Sequence, residues 1–393
     1  MKLLTAFVLI CAMTFDVSGQ RNNFIKGKII NGETGAAIAK ASVFITNTSK
    51  GTVSTETGEF ELNNVPEGTY DLVVSCIGFE TQVYTYKASQ LPLRIQVQMK
   101  SKADELKAVV IEPYEKNGWE TWGKFFTDNF IGTAAIAKNC RIRNYQSLRF
   151  RYSKKRGLLT VTTEEPLIIE NEALGYAVQY QLEEFSYDFE KKILLYFGYT
   201  LFHDLREKGP KQWQQKNREA AYSGSIAHFM RSLYTNRLAE EGFEIKRLVK
   251  TINLEKARIK KIYRETAGNL SFSKDSSAYY EKILRQPDEF ENYGKSLLTA
   301  DSVVSTIDSL TKSLWFNDCL AITYKNEKED PAYLAFANER RQAFYQRSVI
   351  LLINEKPVKI DAVGNYYMPQ DLISYGYWGW SEKVSSMLPV DYK

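Results

Sequence analysis

The chain has 393 residues, 44% hydrophobic and 13% aromatic, with 52 basic and 47 acidic side chains and a net charge of +5. That is enough apolar residue for a sizeable core in more than one domain, and it is neither a disordered composition nor the polycation that nucleic-acid binding calls for. Twenty-five Tyr and 21 Phe favour pleated, half-buried surfaces, so the chain is expected to be mainly β.

The N-terminus reads as a targeting segment. Lys2 is a minimal basic region, and Leu3 to Phe15 is an apolar run short of the ~18–20 residues that span a bilayer. Val17-Ser18-Gly19 puts short residues at the −3 and −1 positions of a cleavage site before Gln20. Residues 1–19 are thus expected to be a signal peptide, with Ile10 before Cys11 too bulky for a lipidation site. No later run is long enough to span, so the mature chain is expected to be exported and to carry no transmembrane segment. Cys76, Cys140 and Cys319 remain, an odd number without a C-x-x-C, which excludes a disulfide-built fold.

From Phe24 to Met99 the chain follows a strand-and-turn grammar. Phe60 and Leu62 alternate with Glu59 and Glu61, the period of a strand with one buried face. Val65-Pro66-Glu67-Gly68 is a turn, after which Tyr70, Leu72, Val74 and Cys76 share a face. Runs at Ile25 to Ile30, Ser42 to Thr46, Gly51 to Thr55, Gln82 to Tyr86 and Leu93 to Met99 complete about seven short strands. At this spacing they predict a small seven-stranded antiparallel β-sandwich over residues 24–100.

The same residues carry a resemblance. Gly27, Asn31, Gly35, Ile38, Ala41, Val43, Gly51, Thr55, Gly58, Phe60, Val65, Pro66, Gly68, Tyr70, Leu72, Gly78 and Phe79 resemble the carboxypeptidase-like regulatory domain. The resemblance implies a transthyretin-like β-sandwich of the kind found at the N-termini of exported envelope proteins, without catalytic residues of its own. Glu56-Thr57 departs from the family's usual pair before Gly58 and touches turn chemistry only.

Residues 101–112 read as a linker, polar through Lys107 and ending in a β-branched patch before Pro113. From 113 to 393 a β-rich α+β domain is expected. Trp119 to Phe130 reads as an amphipathic helix, followed by strands at Leu148 to Tyr152, Leu158 to Thr163, Leu167 to Glu170, Tyr176 to Phe189 and Ile193 to Phe202. Pro210 suits a first helical turn ahead of Trp213 to Tyr222. Ser225 caps a second helix with Ile226, Phe229, Met230, Leu233 and Leu238 at helical spacing, and Gly242 stops it. The last third mixes strands (Leu314 to Tyr324, Val349 to Ile353, Val358 to Ile360) with a helix at Tyr333 to Tyr345. Four phrases, "FIGTAAIAKNC", "EPLIIENEALGYAVQYQL", "YSGSIAHFMRSLYTNRLAEEGFEI" and "GYWGWSEKVSSMLPVDY", resemble the C-terminal region of exported proteins known by their regulatory-like domain. That resemblance implies no established activity.

Chemistry is sparse. The two histidines, His203 and His228, are followed at three positions by Arg206 and Arg231, so no zinc-peptidase ligand set exists, and neither metal nor other cofactor is expected. Ser225 lies outside a G-x-S-x-G elbow. Glu164-Glu165, Glu183-Glu184 and Glu240-Glu241 are candidate glycosidase carboxylates or solvated faces. Arg141, Arg143, Arg149, Arg151, Lys154, Lys155 and Arg156, and the run Lys256 to Arg264, read as solvated faces or as contacts to anionic glycolipid or a partner protein, and no nucleic-acid partner is expected of an exported chain. Tyr375, Tyr377, Trp378 and Trp380 are the candidate ligand-binding residues: an exposed sugar-stacking platform, or the packing of the chain end onto the core.

Three functions remain open. The leading one is a non-catalytic cell-envelope binding or accessory protein, periplasmic or associated with the outer membrane, with an envelope protein or glycan as partner. The alternatives are an envelope hydrolase acting on peptides or glycans, and a subunit of an outer-membrane assembly.

Overall fold

In the computed structural model, residues 23–66, 68–102, 113–265, 274–367 and 371–392 are described. The signal segment 1–19 and most of the 101–112 linker lie outside them. The seven N-terminal strands form as their alternation requires: β1 (Phe24–Asn31), β2 (Ser42–Ile45), β3 (Gly51–Val53), β4 (Glu59–Asn63), β5 (Thr69–Ser75), β6 (Gln82–Lys87) and β7 (Leu93–Met99). In β4, Phe60 and Leu62 are buried while Glu59 and Glu61 face solvent. Two sheets, β4-β1-β7 and β3-β2-β5-β6, close over Ile25, Ile29, Val43, Leu72, Val74 and Val97.

One pairing departs from the antiparallel expectation. β1 and β7 run parallel, in register from Ile25 opposite Leu93 to Asn31 opposite Met99. A parallel pair needs a long crossover, and here the whole of the sandwich between the two strands supplies it. Gly27 sits where they come closest. A Cβ there would stand 2.2 Å from the Ile95 carbonyl oxygen and 2.8 Å from the Phe60 ring, so no other residue fits. The sandwich continues past residue 100, since Lys102 donates its N–H to the Gly78 carbonyl.

The next unit is an aromatic one. Helix α1 (Gly118–Phe130) lies on a sheet made of β8 (Cys140–Ile142), β9 (Leu148–Ser153), β10 (Leu158–Thr163), β11 (Leu167–Asn171), β12 (Tyr176–Asp188) and β13 (Ile193–Asp204). β12 is long enough that its first half pairs with β11 and its second half with β10, while β13 runs along its other edge. Phe126 and Phe130 reach from α1 into rings of Phe150, Tyr180 and Phe185, with centroids 4.8–6.4 Å apart. Much of the aromatic content is core here.

The chain then builds a third core. Helices α2 (Gln212–Tyr222) and α3 (Ile226–Tyr234) lead into β14 (Phe243–Ile252), α4 (Leu254–Glu265), α5 (Lys274–Leu284), β15 (Glu289–Tyr293), β16 (Val304–Thr306), β17 (Thr311–Leu314), β18 (Cys319–Lys328), α6 (Pro331–Phe336), β19 (Tyr345–Leu352), β20 (Val358–Asp361), β21 (Leu372–Gly376) and α7 (Tyr377–Ser381). A five-stranded sheet, β15-β14-β18-β19-β21, and a three-stranded one, β16-β17-β20, enclose Phe229, Met230 and Leu233 of α3. The Ser225 hydroxyl accepts the His228 N–H at 3.1 Å, so the expected cap forms.

Other expectations shift. Pro210 precedes the N-cap Lys211 rather than entering the helix, and Leu238 lies beyond the end of α3. The helix expected at 333–345 ends at Phe336, with Asn338 at φ +53, and Tyr345 already begins β19. Arg341 holds this turn by forking onto Glu329, a buried carboxylate that apolar periodicity does not reveal. The basic run Lys256 to Arg264 lies in helix α4, which buries only Lys256 and Ile259.

The sandwich docks on β13. Asn47 donates to the Thr200 carbonyl at 2.8 Å and Phe202 to the Thr48 carbonyl at 2.9 Å, around a contact of Phe44, Val73 and Leu201. This contact explains why β5 is buried on both faces: Leu72 and Val74 fill the sandwich while Val73 meets the neighbouring unit. A fragment of residues 23–102 keeps its own core, and we expect it to show β-type circular dichroism and a cooperative melt. Phe44 and Val73 become exposed in it, so it should self-associate, and Phe44→Ser with Val73→Thr should make it monomeric. A non-cooperative melt of the monomeric fragment would show that the sandwich depends on β13.

Candidate functional site

The four aromatic candidates do not form a platform. Gly376, at φ +76, turns β21 into the short helix α7, so the segment is helical and not extended. Residues two apart share a side of a strand but diverge by about 200° around a helix. Trp378 accordingly points into the third core, 2% exposed, its ring 5.4 Å from Phe229 and its Nε1–H donating to the Gly224 carbonyl at 2.7 Å. Trp380 points the other way, where its Nε1–H donates to Thr133 Oγ1 at 3.0 Å and its ring lies against Tyr333 and Tyr377. Tyr375 stays in β21, its hydroxyl 3.6 Å from Cys319 Sγ and its ring under Lys250 Nζ at 4.2 Å.

Tyr377 and Trp380 line a cleft of about 460 Å³. Its walls come from the four phrases set apart in the sequence. The first supplies Ala134, Ile136 and Asn139, and the second Ala173. The third supplies Ser223, Gly224 and Ser225, and the fourth Tyr377, Trp380, Ser381, Glu382 and Ser386. Asn217, Ala220 and Ala221 of α2, with Glu327, Asp330 and Gln346, complete it. The space exists because so many of these side chains are small. Gly224 joins the parts: at φ +73, with Tyr324 2.7 Å from where a Cβ would stand, it presents its carbonyl to Trp378 and its N–H to His228 Nδ1.

Three carboxylates face this space. Glu382 accepts the N–H of Ile226, the first residue of α3, at 3.4 Å, and burial pushes its pKa up to about 7. Glu327 accepts from Gln346 Nε2 at 3.0 Å, and burial raises its pKa too. Asp330 caps α6 through the Ala332 N–H at 2.7 Å. Beside the cleft, burial lowers the Lys383 ammonium to about 8, with its Nζ 5.6 Å from the centre of the Tyr196 ring. None of the three acids stands out in the sequence. Glu327 and Asp330 sit in a charged run that looks like surface, and Glu382 lies two residues past Trp380, where the only signal was its neighbourhood.

The acids that were singled out are scattered. Glu164 pairs with Arg149 at 3.2 Å, Glu165 accepts from Asn144, Glu184 accepts from Ser186, Glu240 pairs with Arg237 and Glu241 faces His228. None of them lines the cleft. His228 is buried, accepts the Gly224 N–H on Nδ1 at 3.1 Å, and so directs Nε2–H to Glu241 at 3.3 Å, with burial lowering its pKa. It braces Gly224. His203 is exposed at the end of β13. Several residues of the basic tracts are paired: Arg143 with Glu170, Arg258 with Glu255, and both Lys256 and Lys260 with Asp288. Cys76, Cys140 and Cys319 are unpaired. Among the described residues no group of three or more His, Cys, Asp or Glu is placed to hold a metal, and no helix is long and apolar enough to cross a membrane.

Comparison with known proteins bears on the first module. The family model of the CarboxypepD_reg-like domain matches residues 25–111. No curated protein matches the chain. Among solved structures, a cohesin–X-dockerin complex from Acetivibrio cellulolyticus is 21% identical over 20% of this chain and 56% of that one, with a TM-score of 0.17. The chain therefore spans little more than half the length of that relative. A candidate carbohydrate-binding protein from Bacteroides uniformis is 14% identical over 46% of this chain and 79% of that one, with a TM-score of 0.15. A candidate membrane-associated protein of unknown function from Bacteroides fragilis is 11% identical over 91% of this chain and 95% of that one, with a TM-score of 0.17. At such scores none of the three bears on function. The sandwich does have a family: the match over residues 25–111 shows that the chain contains a carboxypeptidase-like regulatory domain.

Proposed function

We propose that this is an exported cell-envelope accessory protein that holds a ligand in the cleft between α2 and α7 without transforming it and without a cofactor. The observation that carries the reading is the cleft itself, about 460 Å³ and walled by small side chains from four separate segments around two aromatic rings. Ligand sites are concave, largely preformed and furnished with a few convergent polar groups. In this reading Tyr377 and Trp380 touch the ligand, while Tyr375 and Trp378 hold the frame. The CarboxypepD_reg-like domain acts as a rigid module clamped to β13.

Ala220→Trp tests this by filling the cleft from the wall of α2. The variant should melt like the parent and lose at least about tenfold in affinity for solubilised envelope glycan and peptide fragments. Unchanged binding by a folded variant would place the ligand elsewhere.

A second reading, hydrolysis, is favoured by one observation. Burial pushes the Glu382 pKa up to about 7, as a general acid near neutral pH requires, and Glu382 lines the cleft. Mass spectrometry of the bound fragments after prolonged incubation separates the two: intact fragments support the accessory reading, and cleaved ones the hydrolase.

A further inference from the structure

Two amides of the cleft wall are held by their nitrogens alone. Gln346 of β19 is 6% exposed and donates Nε2–H to Glu327 Oε2 at 3.0 Å, which fixes which end of the amide is oxygen. Among the described residues no group donates to its Oε1, and that oxygen remains open to the cleft. It stands at the Ser223–Ser225 turn, 2.8 Å from where a Cβ on Gly224 would be. Asn217 of α2 repeats the pattern, with Nδ2–H on the Ala173 carbonyl at 2.9 Å and no donor to its Oδ1 among the described residues. An acceptor on a nine-tenths buried side chain is rarely left unused, because losing water without gaining a donor is costly.

Free donors line the same space. Ser225 Oγ accepts the His228 N–H at 3.1 Å, and its own hydrogen is uncommitted among the described residues. The Ser381 hydroxyl bonds to none of them. No Lys, Arg or His lines the cleft among the described residues, so a phosphate, sulfate or carboxylate would enter without a counter-charge. An ammonium only donates and a carboxylate only accepts, whereas a hydroxyl does both from one atom. A peptide backbone splits the two roles between separate N–H and C=O groups.

We propose that the cleft binds an uncharged saccharide, whose hydroxyls donate to Gln346 Oε1 and Asn217 Oδ1 and accept from Ser225 and Ser381, with the apolar face of a sugar ring toward Tyr377 and Trp380. This rests on the cleft being the ligand site and names the class of ligand that the site selects. At about 460 Å³ the cleft falls in the ~300–1,000 Å³ range of small-ligand sites.

Equilibrium dialysis of the full mature chain tests this with three pools of short oligosaccharides released from native envelopes. They are the neutral pool, the acidic pool, and the neutral pool after O-methylation, which keeps the acceptor oxygens and removes the O–H donors. The neutral pool should be retained, and the other two at least about tenfold more weakly. Gln346→Met and Asn217→Leu keep bulk and remove a free oxygen. Each should weaken retention of the neutral pool by about tenfold and narrow its gap from the methylated pool. The pool comparison is made on the parent chain, so it decides even where a variant fails to fold. Stronger retention of the acidic pool, equal retention of the methylated pool, or no retained oligosaccharide overturns the proposal. So does an undiminished gap in both folded variants. If envelope peptides are retained instead and Ala220→Trp releases them, the cleft remains the ligand site and only the saccharide assignment falls. If Ala220→Trp retains the neutral pool as the parent does, the site falls with it.

Discussion

Trp378→Ala should be the most destabilising single change in the chain end. The ring is 2% exposed and belongs to the third core, against Phe229, and its indole N–H satisfies the Gly224 carbonyl at 2.7 Å. Truncating a core aromatic costs about 3–5 kcal/mol, a large part of the ~5–15 kcal/mol that holds a typical domain together. Losing the indole donor also leaves the Gly224 carbonyl with one partner fewer in a buried place. The transition of the third core should move down by several degrees, with the sandwich less affected because its core is separate. Trp380→Ala opens the cleft as well as losing packing, so it should lower both the melt and ligand affinity. Near-parental melting of both variants with binding lost would mean that both rings serve the ligand and would sink the packing account of Trp378.

That contrast also marks where sequence reading ended. Tyr375, Tyr377, Trp378 and Trp380 were visible as an aromatic cluster, and so was the choice between platform and packing. The geometry was not visible, because it turns on Gly376. A positive φ there bends β21 into a helical turn and sends Trp378 and Trp380 in different directions. Alternation is a local signal, and it places residues such as Phe60 and Leu62 in β4 with no knowledge of what lies across the core. The sandwich was legible because its strands are short, its turns carry glycine and its faces alternate cleanly.

The site was less legible for the opposite reason. A cleft is made by what is missing, and Ala134, Ala173 and Ala220 carry no sign in sequence that they leave space between them. Helix α4 was hidden for another reason: it buries only Lys256 and Ile259, so its apolar stripe is faint and charge dominates the pattern. The parallel pairing of β1 and β7 lies at long range, where strand period says nothing about direction. Each of the four quoted phrases supplies part of the cleft wall, but nothing in them marks it, and only the fold shows that they meet.

Glu382→Gln should make the protein more stable at pH 8 and change it little at pH 5. Burial holds the folded pKa of Glu382 up to about 7, against an ordinary value of 4.5. Below the ordinary value the group is protonated whether the chain is folded or not, and it contributes no penalty. Between the two values the folded chain binds more protons than the unfolded one, so stability falls as pH rises. Above about 7 the penalty is complete, on the order of 3 kcal/mol for such a shift. The amide keeps an acceptor for the Ile226 N–H and carries no charge, so the variant escapes the fall. Neighbouring groups do not imitate this difference. The lowered pKa of Lys383 imposes its own penalty, which is already full below about 8 and eases only above it. Tyr196 and Tyr366 stay neutral because burial raises both phenols. Glu327 moves in the same direction as Glu382 but is common to parent and variant. Chemical denaturation of both proteins from pH 5 to 8 reads the gap directly. Parallel curves would show that Glu382 is ionised at neutral pH without cost.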